Sequence, residues 1–131
     1  IMTDEKGGAW RQTIFYPFLH ASIYGRGIAL EPVIKTTKHD TSKHTDVSDV
    51  EAVAVYNPEN EEVTIFAVNR NVEHDVNFTS DIRGFEDYKM LEYIVMESND
   101  MKAVNTLSSQ KVKPELKTEY TFDDGIFTTE M

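Results

Sequence analysis

The apolar residues of this chain change their period once, near Gly27, and that change limits the folds open to it more than any other feature. Before it, Ile14, Phe18 and Ala21 recur at helical spacing, with Phe15, Leu19 and Ser22 on the adjacent ridge. Gly25 and Gly27 end the run. Pro17 is awkward within it, because proline in a helix interior removes a hydrogen bond and costs about 3 kcal/mol. The helix is therefore expected to begin late, near Thr13, or to bend in its first turn. After Ile28 the pattern alternates. Val50, Ala52, Ala54 and Tyr56 share one strand face and Val53 and Val55 the other. Asn57-Pro58-Glu59-Asn60 supplies a turn and 63–69 returns, so 50–69 reads as a hairpin. Residues 75–82 and 88–96 read as further strands, and 119–123 and 126–129 flank an Asp124-Gly125 turn. Short strands with turn signals between them predict a mainly β fold, a β-sandwich preceded by one helix.

Composition narrows the function. A length of 131 residues suits one domain, and 40% hydrophobic with 27% charged residues is a globular balance. No apolar run approaches the roughly 20 residues a membrane-spanning helix needs, so no membrane partner is expected. Ile1-Met2-Thr3-Asp4-Glu5 is acidic and lacks the apolar core of a signal peptide, and a chain opening on Ile is read as missing its natural start. Thirteen Lys and Arg against 23 Asp and Glu give a formal charge of −10, which repels phosphate backbones and excludes nucleic acid as a partner. With no cysteine, disulfides, thiolate catalysis and thiolate zinc sites are excluded, which favours the cytoplasm.

Among candidate constellations, His39, Asp40, His44 and Asp46 could ligate a metal, but the intervening Lys43 favours a solvated polar loop, and no metal or cofactor is assigned. Asn77-Phe78-Thr79 matches a glycosylation acceptor, a pattern common by chance. Tyr56, Phe66, Phe78, Phe85, Tyr88, Tyr93, Tyr120 and Phe122 could stack on sugars, although strand alternation already turns several inward as core. Acids are abundant, yet Asp4 and Glu5 alone lie near the unusual opening motif, and neither has the apolar surroundings that tune a carboxyl for catalysis. In that motif Gly7 and Gly8 permit close backbone approach, Trp10 offers an apolar face, and Arg11 and Gln12 offer directed hydrogen bonds. A ligand-contacting loop and a helix that merely docks through its aromatics both fit these residues.

The residues Ile1-Met2-Thr3, Gly7-Gly8-Ala9-Trp10-Arg11-Gln12-Thr13-Ile14-Phe15-Tyr16-Pro17-Phe18 and His20-Ala21-Ser22 are similar to the α-L-arabinofuranosidases of glycoside hydrolase family 51. The resemblance continues through Tyr24-Gly25-Arg26-Gly27, Glu51 to Tyr56, Phe66 to Arg70 and Arg83-Gly84-Phe85-Glu86, and weakens over 35–49 and 98–118. It implies a (β/α)₈ barrel followed by a jelly-roll β-sandwich. Residues 1–27 would then be the last barrel loop and helix, and 28–131 the C-terminal sandwich, its last strand missing. It also implies a retaining hydrolase releasing terminal α-L-arabinofuranosyl groups from arabinan, arabinoxylan and related oligosaccharides, with a Glu acid/base and a Glu nucleophile that both lie outside this chain. No catalytic residue is therefore assigned here.

By the same resemblance Gln12 would hydrogen-bond the arabinose, with Trp10 and Arg11 bracing the loop behind it. The partners implied are an arabinofuranosyl carbohydrate, the rest of the barrel and further copies of the enzyme. The chain departs from the family in having no proline after Gly7-Gly8 and no final Ser-Trp-Asn segment, which predicts an unpaired sheet edge. Two rival readings are a carbohydrate-binding module with an aromatic platform and a purely structural or oligomer-building sandwich.

Overall fold

Asp124 and Gly125 have φ of 46° and 73°, the paired left-handed conformations of a type I′ turn, and they bring the last two strands together as the sequence predicts. The structure, a computed structural model, describes residues 1–131. In chain order its elements are β1 (Met2–Thr3), β2 (Ala9–Trp10), α1 (Phe15–Tyr24), β3 (Ile28–Leu30), β4 (Lys38–His39), β5 (Val47–Ser48), β6 (Val50–Asn57), β7 (Glu62–Asn69), β8 (Asn77–Asp81), β9 (Ile94–Val95), β10 (Glu115–Leu116), β11 (Thr121–Asp123) and β12 (Ile126–Glu130). The fold is mainly β with one helix, as the alternation after Gly27 requires.

Two compact units divide the chain, and neither is continuous in sequence. One comprises residues 26–89 and 119–131, the other residues 1–25 and 90–118. The first holds two three-stranded antiparallel sheets, ordered β3-β6-β7 and β11-β12-β8, and the short β4–β5 ribbon. The β6–β7 register sets Val50 opposite Asn69, Ala52 opposite Ala67, Ala54 opposite Ile65 and Tyr56 opposite Val63. Alternation puts these pairs on one face, where Val50 is buried, while Val53 and Val68 lie largely exposed on the other. Asn57 closes this hairpin by accepting the backbone N–H groups of Glu59 and Asn60. In the other sheet Phe127 is buried beside Phe78 and Tyr120, ring centroids 6.2 and 5.7 Å away. The Asn69 amide donates to the Met131 carbonyl at 2.9 Å, and Val76 and Met131 exchange backbone bonds, which ties the end of β7 to the end of β12.

The second unit is built on α1, the β1–β2 hairpin and the β9–β10 ribbon, with Tyr16, Val112 and Asn105 buried in it. Pro17 is the third residue of α1, where no intrahelical partner exists for an N–H, so its missing donor costs nothing. The chain enters the helix through i→i+3 bonds from Phe15 N–H to Gln12 and from Tyr16 N–H to Thr13, in line with a start just after Thr13. Gly25 closes it by donating to the Ala21 carbonyl.

The strand expected over 88–96 is reduced to Ile94–Val95, paired with Glu115–Leu116. Its aromatic start serves ring packing instead: Tyr88 donates its N–H to the Phe85 carbonyl in a tight turn and sets its ring edge-on to Phe85 at 5.0 Å.

Gly27 joins the helix to β3 with φ of 141°, and a Cβ there would stand 2.2 Å from the Tyr56 carbonyl oxygen. Gly27→Ala is expected to lower stability by more than about 1 kcal/mol. Gly84→Ala, at φ 86° but facing open space, meets only the backbone strain and loses less. Urea denaturation of the two variants side by side measures the difference.

Candidate functional site

The glycine-rich opening folds as a tight hairpin. Thr3 pairs with Ala9 and Met2 with Trp10, and Asp4 closes the loop between them. The Asp4 backbone N–H donates to the Gly8 carbonyl at 3.0 Å, and its carboxylate accepts the N–H groups of Lys6 at 2.9 Å and Gly8 at 2.8 Å. Gly7 takes φ of 83° at the apex, and a Cβ on Gly8 would run into the Asp4 carboxylate and Leu107. Asp4, one of the two acids beside the motif, is thus committed to shaping the loop.

Gln12 follows directly after this hairpin and is half-buried. Its Nε2 donates to the backbone carbonyl of Asn105 at 2.8 Å. A carbonyl only accepts, so this bond fixes which end of the amide faces Asn105 and turns Oε1 away from that carbonyl. Asn105 is fully buried, and every polar atom of its side chain is bonded. Its Nδ2 donates to the carbonyls of Val112 at 2.7 Å and Arg11 at 3.1 Å, and its Oδ1 accepts the Val112 N–H at 2.9 Å.

The other two motif residues lie close by. Arg11 is exposed, its guanidinium carbon 5.1 Å from the Phe15 ring centre, so its side chain packs on the helix while its carbonyl is held by Asn105. Trp10 is half-buried and its indole Nε1 is enclosed without an acceptor in this chain. Asn105 was not legible as a site residue, because its partners Arg11 and Gln12 stand 94 and 93 positions away and its own neighbourhood carries no motif.

The aromatic platform finds no support. Tyr56, Phe66, Phe78, Phe85, Tyr88, Tyr93, Tyr120 and Phe122 are all half-buried, and Tyr56 and Tyr88 both pack against the Phe85 ring, tilted and edge-on, rather than forming an open row. The helix is different. Ile14, Phe18 and Ile23 are exposed at 66%, 72% and 52%, so the ridge carrying Ile14, Phe18 and Ala21 is an uncovered apolar surface.

Comparison with known proteins covers the whole chain. The profile of the α-L-arabinofuranosidase C-terminal domain matches residues 1–131. The chain belongs to that family. It is 58% identical over 130 residues to an intracellular exo-α-(1→5)-L-arabinofuranosidase of Acetivibrio thermocellus, covering 98% of this chain and 26% of the relative. It is 45% identical over 131 residues to an enzyme of the same name from Halalkalibacterium halodurans, covering 100% of this chain and again 26% of the relative. A solved family 51 α-L-arabinofuranosidase from Bifidobacterium longum superposes with a TM-score of 0.86 at 27% identity, over 98% of this chain and 25% of that one. The chain thus spans about a quarter of the length of the curated relatives it matches.

Elsewhere in this arabinofuranosidase C-terminal domain, the His39–Asp46 cluster is a turn between β4 and β5. Asp40 accepts the Asp46 N–H at 3.0 Å and the Thr41 hydroxyl accepts that of His44 at 3.0 Å. No group of three or more His, Asp or Glu converges there or elsewhere. His39 turns instead to Asp49, its Nδ1 2.5 Å from the carboxylate. Asp49 is buried between β5 and β6, also bonded to the Thr37 hydroxyl, and its main chain meets Thr37 and Arg70. A concavity of about 250 Å³ lies along the β9–β10 ribbon, lined by Lys111, Lys113, Glu115 and Lys117 with Glu97 and Asn99. It shares no lining residue with the 7–12 loop, and Lys117 is already paired with Glu97 at 2.8 Å.

The Thr37 hydroxyl, with His39 and Asn71 adding, holds the Asp49 carboxyl below its ordinary value of 3.8. A carboxyl whose folded value lies below its unfolded one contributes stability that is fully present above the unfolded value and is lost as pH falls through the folded one. Asp49→Asn is therefore expected to lower stability at pH 7 and to flatten its fall below about pH 3.8, as read by denaturation at pH 7, 4 and 3.

Proposed function

We propose that this chain is the C-terminal part of a retaining α-L-arabinofuranosidase that releases terminal α-L-arabinofuranosyl residues from arabinan, arabinoxylan and related oligosaccharides. On this reading 1–27 are the last barrel loop and helix, and the strands from 28 onward form the accompanying sandwich. The chain contributes Gln12 to the arabinose subsite, and the rest of the barrel supplies both catalytic carboxylates: one Glu as acid/base, the other as the nucleophile of a covalent arabinosyl-enzyme. The observation that carries the reading is Gln12 itself. It sits half-buried at the end of a glycine hairpin, with Nε2 tied back and Oε1 turned from that tie, an acceptor suited to a sugar hydroxyl.

Two further features support a larger partner surface in the same polypeptide. The apolar ridge of α1 is uncovered, and the enclosed Trp10 indole N–H has no acceptor here, a state that costs about 1–3 kcal/mol unless another segment supplies one. Trp10 and Arg11 brace the loop behind Gln12. A structural and oligomer-building role for the sandwich fits its half-buried aromatics better than sugar binding does. The relatives' names place them inside the cell, and we assign the same cytoplasmic setting to this enzyme.

The purified 131-residue chain is expected to be inactive on an aryl α-L-arabinofuranoside and on linear α-(1→5)-arabino-oligosaccharides. In the full-length enzyme, Gln12→Ala is expected to lower kcat/KM about 100-fold, the scale of one hydrogen bond to the reacting sugar. Hydrolysis by the short chain, or an unchanged kcat/KM in the variant, overturns the assignment.

A further inference from the structure

We infer that Asn105 is a positioning residue for Gln12, acting from a distant segment to hold both the loop and the amide that the sugar would meet. The inference rests on the arabinose-contact reading of Gln12 given above and adds the group that orients it.

Asn105 bonds the site segment twice, by different atoms. Its side-chain Nδ2 holds the Arg11 carbonyl at 3.1 Å, which pins the main chain next to Gln12, and its own carbonyl receives Gln12 Nε2 at 2.8 Å. The side chain is in turn locked by two bonds to Val112, donating at 2.7 Å and accepting at 2.9 Å, and Val112 is itself buried. A fully buried amide with three bonds has no freedom to turn over. The carbonyl that meets Gln12 is therefore fixed relative to the Arg11 main chain, and the Gln12 amide is held in one of its two possible orientations. The consequence is chemical. Gln12 offers its carbonyl oxygen as the free group, with one remaining N–H, so it selects a sugar hydroxyl that donates to it. An unanchored glutamine would present either end.

The test uses the full-length enzyme and an aryl α-L-arabinofuranoside. Asn105→Asp is nearly isosteric but replaces both donors with a carboxylate facing two carbonyls. Its kcat/KM is expected to fall about 10- to 100-fold, the cost of misplacing a binding group by about an ångström. The loss should divide between kcat and KM as it does for Gln12→Ala. In the double variant the second substitution should add less than about twofold, because both act through one contact. A wild-type kcat/KM for Asn105→Asp, or losses that multiply in the double variant, overturns the inference. Thermal unfolding checks that Asn105→Asp is folded. If it is not, Gln12→Glu decides, since a carboxylate keeps the acceptor but cannot donate to the Asn105 carbonyl. It is expected to lose at least about tenfold, and retention of the wild-type rate overturns the inference. Should Gln12→Ala alone leave kcat/KM unchanged, the arabinose contact itself fails, an outcome separate from any result at Asn105.

Discussion

The junction between the opening hairpin and the helix depends on one buried amide. Asn105 has no exposed surface, and its side chain carries as many hydrogen bonds as it has N–H groups and carbonyl oxygens to make them. A polar group so placed costs heavily if any partner is lost, so its geometry is tightly determined. Through it the conformation of a loop near residue 11 is settled by a segment near residue 112. The hairpin before it is stabilised locally, by Asp4 and two glycines; only its junction with the helix needs help from elsewhere.

Two carboxylates of this acidic chain are taken up in holding its loops. Asp4 bonds the backbone of its own loop, and Asp49, the best-buried acid, bonds Thr37, His39 and Asn71 across short strands. Both serve as acceptors for groups that would otherwise be unpaired. The motif itself presents an amide, Gln12, a group that donates and accepts without changing charge.

Much of the fold could be read from the sequence where local rules decide. The 50–69 hairpin, the strand within 75–82 and the final Asp124-Gly125 hairpin follow from alternation and turn chemistry, and each lies where expected. Pro17 correctly marked the first turn of the helix. The reading weakened where long-range packing decides. Tyr88 looked like a strand residue because tyrosine suits strands, but its ring packs edge-on to Phe85. Residues 98–118 looked featureless because the role of Asn105 is written in backbone carbonyls far along the chain, which no spacing or periodicity encodes. Gln12 was legible as a distinctive residue. What anchors it was not, and the turn-bound His39 illustrates the reverse, a cluster conspicuous in sequence whose members disperse to separate partners.

The separation of 93 positions between Gln12 and Asn105 has a kinetic meaning. Closing so long a loop is entropically slow compared with forming a hairpin or a helix turn, and strands β3 to β8 lie wholly within the intervening stretch. During synthesis the glycine hairpin and α1 leave the ribosome long before their clamp exists. Until residue 105 arrives, the loop bearing Gln12 has its shape but not its anchor. Maturation of this corner of the molecule therefore waits on a segment made 93 positions after the residues it serves.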